Sequence, residues 1–71
     1  MSKPLYVVWD STGSRPLSRH RKLSQAGAAY LRTLSRPIIA RVYVEFPRGF
    51  LGFEIDRTSD AIAEAGKVTN R

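Results

Sequence analysis

Apolar and polar positions along this chain fall into four strand-like runs and two helical ones. Leu5-Tyr6-Val7-Val8-Trp9 is β-branched and aromatic, and the Asp10-Ser11-Thr12-Gly13-Ser14 cluster after it has turn chemistry. The pair predicts a strand that ends in a turn. Pro16 to Lys22 then reads as a return strand or as an extended arm. Its pattern is poor, because Arg19 and Arg21 share a face with Leu17 and Leu23, and only a sheet edge tolerates that charge. Arg41 to Phe46 alternates cleanly, with Val42, Val44 and Phe46 on one side and Arg41, Tyr43 and Glu45 on the other. Leu51, Phe53 and Ile55 alternate in the same way against Phe50, Gly52, Glu54 and Asp56. Pro47-Arg48-Gly49 between them suits a turn, with proline early and glycine where φ is positive, so this is the firmest hairpin in the chain.

The helical runs have their own signals. Ser24 is placed to cap the orphan amides of a first turn. Leu23, Gly27, Tyr30 or Leu31, and Leu34 follow at spacings of three to four and define one helical face. Gly27 costs a helix about 1 kcal/mol relative to Ala, a cost explained if it lets the helix approach the sheet closely. Pro37 biases Arg36 away from helical backbone and stops the run. Thr58-Ser59-Asp60 can cap a short helix from Ala61 to Ala65, with Gly66 as its stop and Lys67 to Arg71 as a frayed tail.

Together these runs predict an α+β fold of two layers. An antiparallel sheet of three to four strands carries one main helix packed on one face, in the order β-β-α-β-β with a short C-terminal helix. The expected core is Val7, Leu31, Leu34, Val42, Val44, Phe46, Leu51, Phe53 and Ile55. At 71 residues the chain reads as a single domain, 1–71, near the lower size limit for folding without staples. With no cysteine and one histidine, neither disulfides nor a structural zinc can supply them, and no cofactor is expected. No apolar run approaches the ~20 residues of a membrane span. Met1-Ser2-Lys3-Pro4 lacks the apolar stretch of a signal peptide, so no membrane partner and a cytoplasmic location are expected.

Charge sharpens the functional reading. Residues 11 to 41 contain Arg15, Arg19, Arg21, Lys22, Arg32, Arg36 and Arg41, with His20 in the densest part, and no acid. The whole chain is +6, so the other residues together net −1. Such a block predicts a basic face that attracts polyanions or acidic partners. Arg15, Arg19, His20, Arg21, Lys22, Arg36 and Arg41 are the candidate phosphate or partner contacts, and Tyr43 and Phe50 are candidates for stacking on bases or on a protein. Glu45, Glu54 and Asp56 share the Tyr43 face and suit a mixed-charge protein interface better than a broad phosphate surface. Trp9 reads as core, with an interface anchor as its alternative.

Catalysis has little to stand on. His20 has no second histidine to work with, and its cationic neighbours should depress its pKa. Asp10-Ser11-Thr12-Gly13 has one residue too many for an aspartic-protease turn. The protein is therefore read as a non-enzyme.

Tyr6 to Trp9, Arg19 to Leu23, and Ser24-Gln25-Ala26 through Leu34 together resemble the small sheet-plus-helix DNA-binding domains at the N-termini of tyrosine recombinases. In those domains a sheet face enters the major groove; here the sheet continues after the helix, which departs from them. In size and basic, β-rich character the chain is also similar to phage or plasmid accessory proteins, anti-CRISPR inhibitors among them. The leading expectation is a small basic DNA- or RNA-binding module working through a sheet edge and a helix face. The alternative is a protein-binding inhibitor or adaptor that occupies a partner's acidic or nucleic-acid-binding surface. Unpaired sheet edges offer a route to a homodimer in either case.

Overall fold

In the computed structural model, which describes residues 4–69, two β-hairpins alternate with two helices. Strands β1 (Leu5–Asp10) and β2 (Arg15–His20) precede helix α1 (Leu23–Arg32), and β3 (Ala40–Glu45) and β4 (Leu51–Asp56) precede helix α2 (Thr58–Thr69). The sheet order is β2-β1-β3-β4, with every neighbouring pair antiparallel. Because β1 opposes both β2 and β3, those two strands run parallel, and α1 crosses over β1 to join them. This is the expected α+β arrangement. Residues 15–20 form an edge strand rather than an arm. The expectations for Met1 to Lys3 and for Asn70 and Arg71 lie outside the described residues.

Both helices cover the same side of the sheet. Ala26 of α1 and Ala61 of α2 share a buried cluster with Val8, Ala40 and Val42, and Tyr6, Leu17, Leu23, Ala29 and Tyr30 pack around it. The Cα envelope of 34 × 30 × 17 Å has depth for one sheet and one helical layer, so no described helix covers the second, open sheet face.

The helices meet at glycine. A Cβ on Gly27 would collide with the carbonyl oxygen of Ala61 and stand 3.0 Å from the Ala65 methyl. The glycine expected to bring α1 onto the sheet instead brings it onto α2. That contact also explains why α2 runs from Thr58 to Thr69, past the expected Ala61–Ala65 and through Gly66: Ala61 and Ala65, one turn apart, are buried against α1. Tertiary packing outweighs the glycine's low helix propensity. At the start of α1, Lys22 rather than Ser24 holds the N-cap position, without a side-chain cap, because Leu23 is already helical and packed on the core. At its end a single 3-10 turn, Thr33–Ser35, leads to Arg36 in extended backbone before Pro37, as expected.

Several expected core positions are exposed. Leu31, Leu34, Phe53 and Ile55 all face solvent, Leu34 at 64% exposure. The buried stripe of α1 is instead the smaller Ala26 and Gly27, continued by Thr33 of the 3-10 turn, with Tyr30 half-buried. Among the bulky side chains of the described residues only Val7, Val8 and Val42 are fully enclosed, and Val7 belongs to the opposite sheet face. A bulge in β2 and the register of β4 account for the strand differences. In β2 the pairing passes from Ser18 to Pro16, so Leu17 turns inward to the core while Arg19 points outward. In β4, Glu45 pairs with Leu51 and Val44 with Gly52, so the register puts Gly52 on the helix side and Phe53 on the open face beside Tyr43. The pairing then passes to Tyr43–Asp56, and residues 53–55 bulge from the edge. Gly52 takes the inner position, where a Cβ would lie 2.9 Å from the Phe46 ring. The β3–β4 turn forms as expected, with Gly49 at φ 77° and its N–H donating to the Phe46 carbonyl at 2.9 Å.

Gly27→Ala should destabilise the protein by about 1–3 kcal/mol in denaturant unfolding, because overpacking against backbone exceeds the propensity gain. Gly66→Ala, whose Cβ meets nothing within 4 Å, should stabilise it by about 0.4–1 kcal/mol.

Candidate functional site

The candidate residues separate onto different parts of the fold. On the open sheet face, Phe53 reaches over β3 so that its ring centre lies 5.3 Å from those of both Trp9 and Tyr43, edge to face with each. Trp9, read from sequence as core, is half-buried in this cluster. An interface anchor is its alternative reading, whereas Phe53 is read from sequence as core alone. The β3–β4 register puts Phe53 on the face that Trp9 and Tyr43 share, and alternation alone does not reveal that register. Phe50 is remote from the cluster, exposed in the β3–β4 turn with its ring centre 6.1 Å from that of Phe46.

The bases on this face are occupied. Arg19 on β2 reaches across β1 and donates from Nε to both Glu45 carboxylate oxygens on β3, at 3.0 and 3.1 Å. Arg41 donates from Nε at 3.0 Å and Nη2 at 2.8 Å to Oδ2 of Asp56. The Asp56 hydrogen bond is the main cause that raises the Arg41 pKa. Burial alone would raise the Asp56 carboxyl; hydrogen bonds from Thr58, together with Arg41, outweigh it and hold the carboxyl below its usual range. Asp56 Oδ1 accepts the Thr58 backbone N–H at 2.8 Å, so the same carboxylate anchors the start of α2.

Asp10 does a structural job. It is buried, and Oδ1 accepts the backbone N–H groups of Thr12 and Gly13 at 2.9 and 3.1 Å, an Asx turn that shapes the β1–β2 connection. Arg15 lies 3.8 Å from its Oδ2. In α2, Asp60 pairs with Arg57 and Glu64 with Lys67.

Five of the six acids therefore each face a base, and Glu54 alone has neither hydrogen-bond nor ion-pair partner among the described residues. The bases without such partners, again among the described residues, are Arg21, Lys22, Arg32, Arg36 and Arg48. Four of these belong to α1 and its flanks. Arg21 and Lys22 sit in the bend before α1, Arg32 ends it, and Arg36 follows the 3-10 turn, all exposed. Lys22, Gln25, Ala29 and Arg32 recur at spacings of three and four, which aligns them on one side of the helix. The acid-free stretch thus yields one free basic strip along α1, while Arg15, Arg19 and Arg41 are neutralised locally.

His20 ends β2 on the helix side, and its Nε2 lies 2.8 Å from the Ser18 hydroxyl. Burial first, and then the charge of Arg32, lowers its pKa below the ordinary 6.5. Among the described residues no group of three or more His, Asp or Glu side chains is placed to hold a metal, and no helix is long and apolar enough to cross a membrane. No protein-family model, curated protein or solved structure matches the chain.

His20 and Asp56, whose pKa values are both lowered, predict separate pH windows. A depressed histidine pKa means that the unfolded chain takes up the proton first, so stability should fall as pH drops through about 6.5 and level off below the folded value. In His20→Gln that step should vanish from a melting-temperature profile. A second loss, belonging to Asp56, should begin near its ordinary 3.8 and continue below it, and should shrink in Arg41→Gln.

Proposed function

We propose that this protein is a non-catalytic nucleic-acid-binding module whose phosphate contacts are Arg21, Lys22, Arg32 and Arg36. One observation carries the reading: the free positive charge is concentrated on the α1 side, where no acid competes for it. At 1.5 Å per residue, Lys22 and Arg32 stand about 15 Å apart along the helix. Duplex DNA presents one charge per roughly 1.7 Å of axis, so a strip of that length meets several phosphates. Exposed Gln25 between them can donate to or accept from the sugar-phosphate backbone. Tyr43 and Phe50 are not part of this surface. Arg15, Arg19 and Arg41 would have to leave a carboxylate to take part.

Leu31 and Leu34, exposed beside Arg32 and Arg36, favour one second reading. Phosphates leave such side chains wet, whereas an acidic protein surface would bury them. The same strip would then serve a phage- or plasmid-type inhibitor or adaptor that docks on a partner's acidic or nucleic-acid-binding surface.

Salt titration of oligonucleotide affinity tests the proposal. The log–log slope should be steep, and losing one phosphate contact through Arg21→Ala, Lys22→Ala, Arg32→Ala or Arg36→Ala should reduce it by about 0.9 on duplex DNA or 0.7 on single strands. Arg41→Gln should leave the slope unchanged. Affinity that stays flat from low to moderate salt contradicts the proposal. A nuclease-resistant protein complex lost in Leu31→Ala and Leu34→Ala would favour the second reading.

A further inference from the structure

We propose that the open sheet face is a self-association surface that takes a second copy of this chain. The inference does not depend on nucleic-acid binding. Its first support is chemical. Trp9, Tyr43 and Phe53 form an aromatic centre on a face that no helix covers, and Phe53 remains 52% exposed. Rings of this kind surrounded by paired arginines make the apolar centre and polar rim of protein interfaces.

The second support is charge, and it selects the occupant. A chain of net charge +6 repels its own copies over most of its surface. On this face the bases are balanced: Arg19 is held by Glu45, and Arg41 by Asp56. Their hydrogen bonds are already made, so covering them leaves fewer charged atoms without partners. Glu54, in the bulge next to Phe53, is the one described acid with no partner, and it offers a carboxylate to a base of the second copy. The face is thus the place where like-charged copies can approach. The same balance disfavours a phosphate backbone, which would meet Glu45 and Asp56.

The sheet edges are poorer surfaces for pairing. β2 carries Pro16, Arg15 and Arg19, and β4 is broken by its three-residue bulge. A twofold pair meeting face to face also places each α1 strip outward, so the dimer would present two basic strips on opposite sides.

Sedimentation equilibrium on the full chain tests this, with Trp9, the only tryptophan, as an internal reporter. The expected result is a mass that rises from monomer to dimer with concentration, with Trp9 emission moving to shorter wavelength in step. Phe53→Glu should be monomeric where the parent chain is dimeric, with an unchanged circular dichroism spectrum. If that variant fails to fold, acrylamide quenching of Trp9 in the parent chain decides, since it must fall as concentration rises. A monomeric mass at every concentration, or a dimer that persists in folded Phe53→Glu, overturns the proposal. So does a monomer whose Trp9 emission is quenched by a single-stranded oligothymidylate, because the face would then be a stacking platform for bases.

Discussion

The contact between Gly27 and the backbone of Ala61 is the constraint on which the rest of the fold depends. Two helices must share one side of a four-stranded sheet, and they can do so only if their facing side chains are small. Ala26, Gly27, Ala61 and Ala65 provide that seam, with Ala40 and Val42 beneath. The result is a shallow core. A small chain has little apolar surface to bury, and here much of the bulky share lies elsewhere. Val7, Trp9, Tyr43 and Phe53 occupy the far side of the sheet, which no described helix covers. Val7 is enclosed there by neighbouring side chains, Trp9 and Tyr43 are half-buried, and Phe53 is exposed. The thin helical seam and the open aromatic face are two consequences of one packing choice.

Charge follows the same division. Arg19–Glu45 and Arg41–Asp56 are exposed ion pairs, and such pairs contribute about 0–1 kcal/mol each. Their importance lies in what they remove from the surface. By neutralising the bases of the sheet face they leave four of the five unpaired described bases, Arg21, Lys22, Arg32 and Arg36, along the helix side. A chain that looks uniformly basic over thirty residues becomes a molecule with a cationic helix side and a balanced sheet side. Polyanions and apolar partners are then directed to different surfaces.

Features set by short-range chemistry are legible in the amino-acid sequence. Pro47-Arg48-Gly49 specifies its turn through φ restrictions, Pro37 ends the helical run through its effect on Arg36, and β-branched runs mark β1 and β3. The β-β-α-β-β order with a terminal helix follows from these. Features set by partners distant in sequence are not legible. Gly27 announces a close approach but not that α2 is the neighbour. Alternation in β4 does not say which of its two faces is inward; the pairing of Val44 with Gly52 decides it and sends Phe53 outward, while in β2 a bulge hides the inward turn of Leu17. The ion pairs join residues 26 and 15 positions apart, so composition can count the bases but not say which are free. Trp9 carries no local signal for the face it occupies.

The central claim is this division of surfaces, and amide and indole chemical-shift mapping during titration with a short DNA duplex tests it most directly. The account predicts shifts at Arg21, Lys22, Gln25, Arg32 and Arg36, with the Trp9 indole and the amides of Tyr43 and Phe53 unmoved. Shifts centred on Trp9, Tyr43 and Phe53, with α1 unaffected, would contradict it.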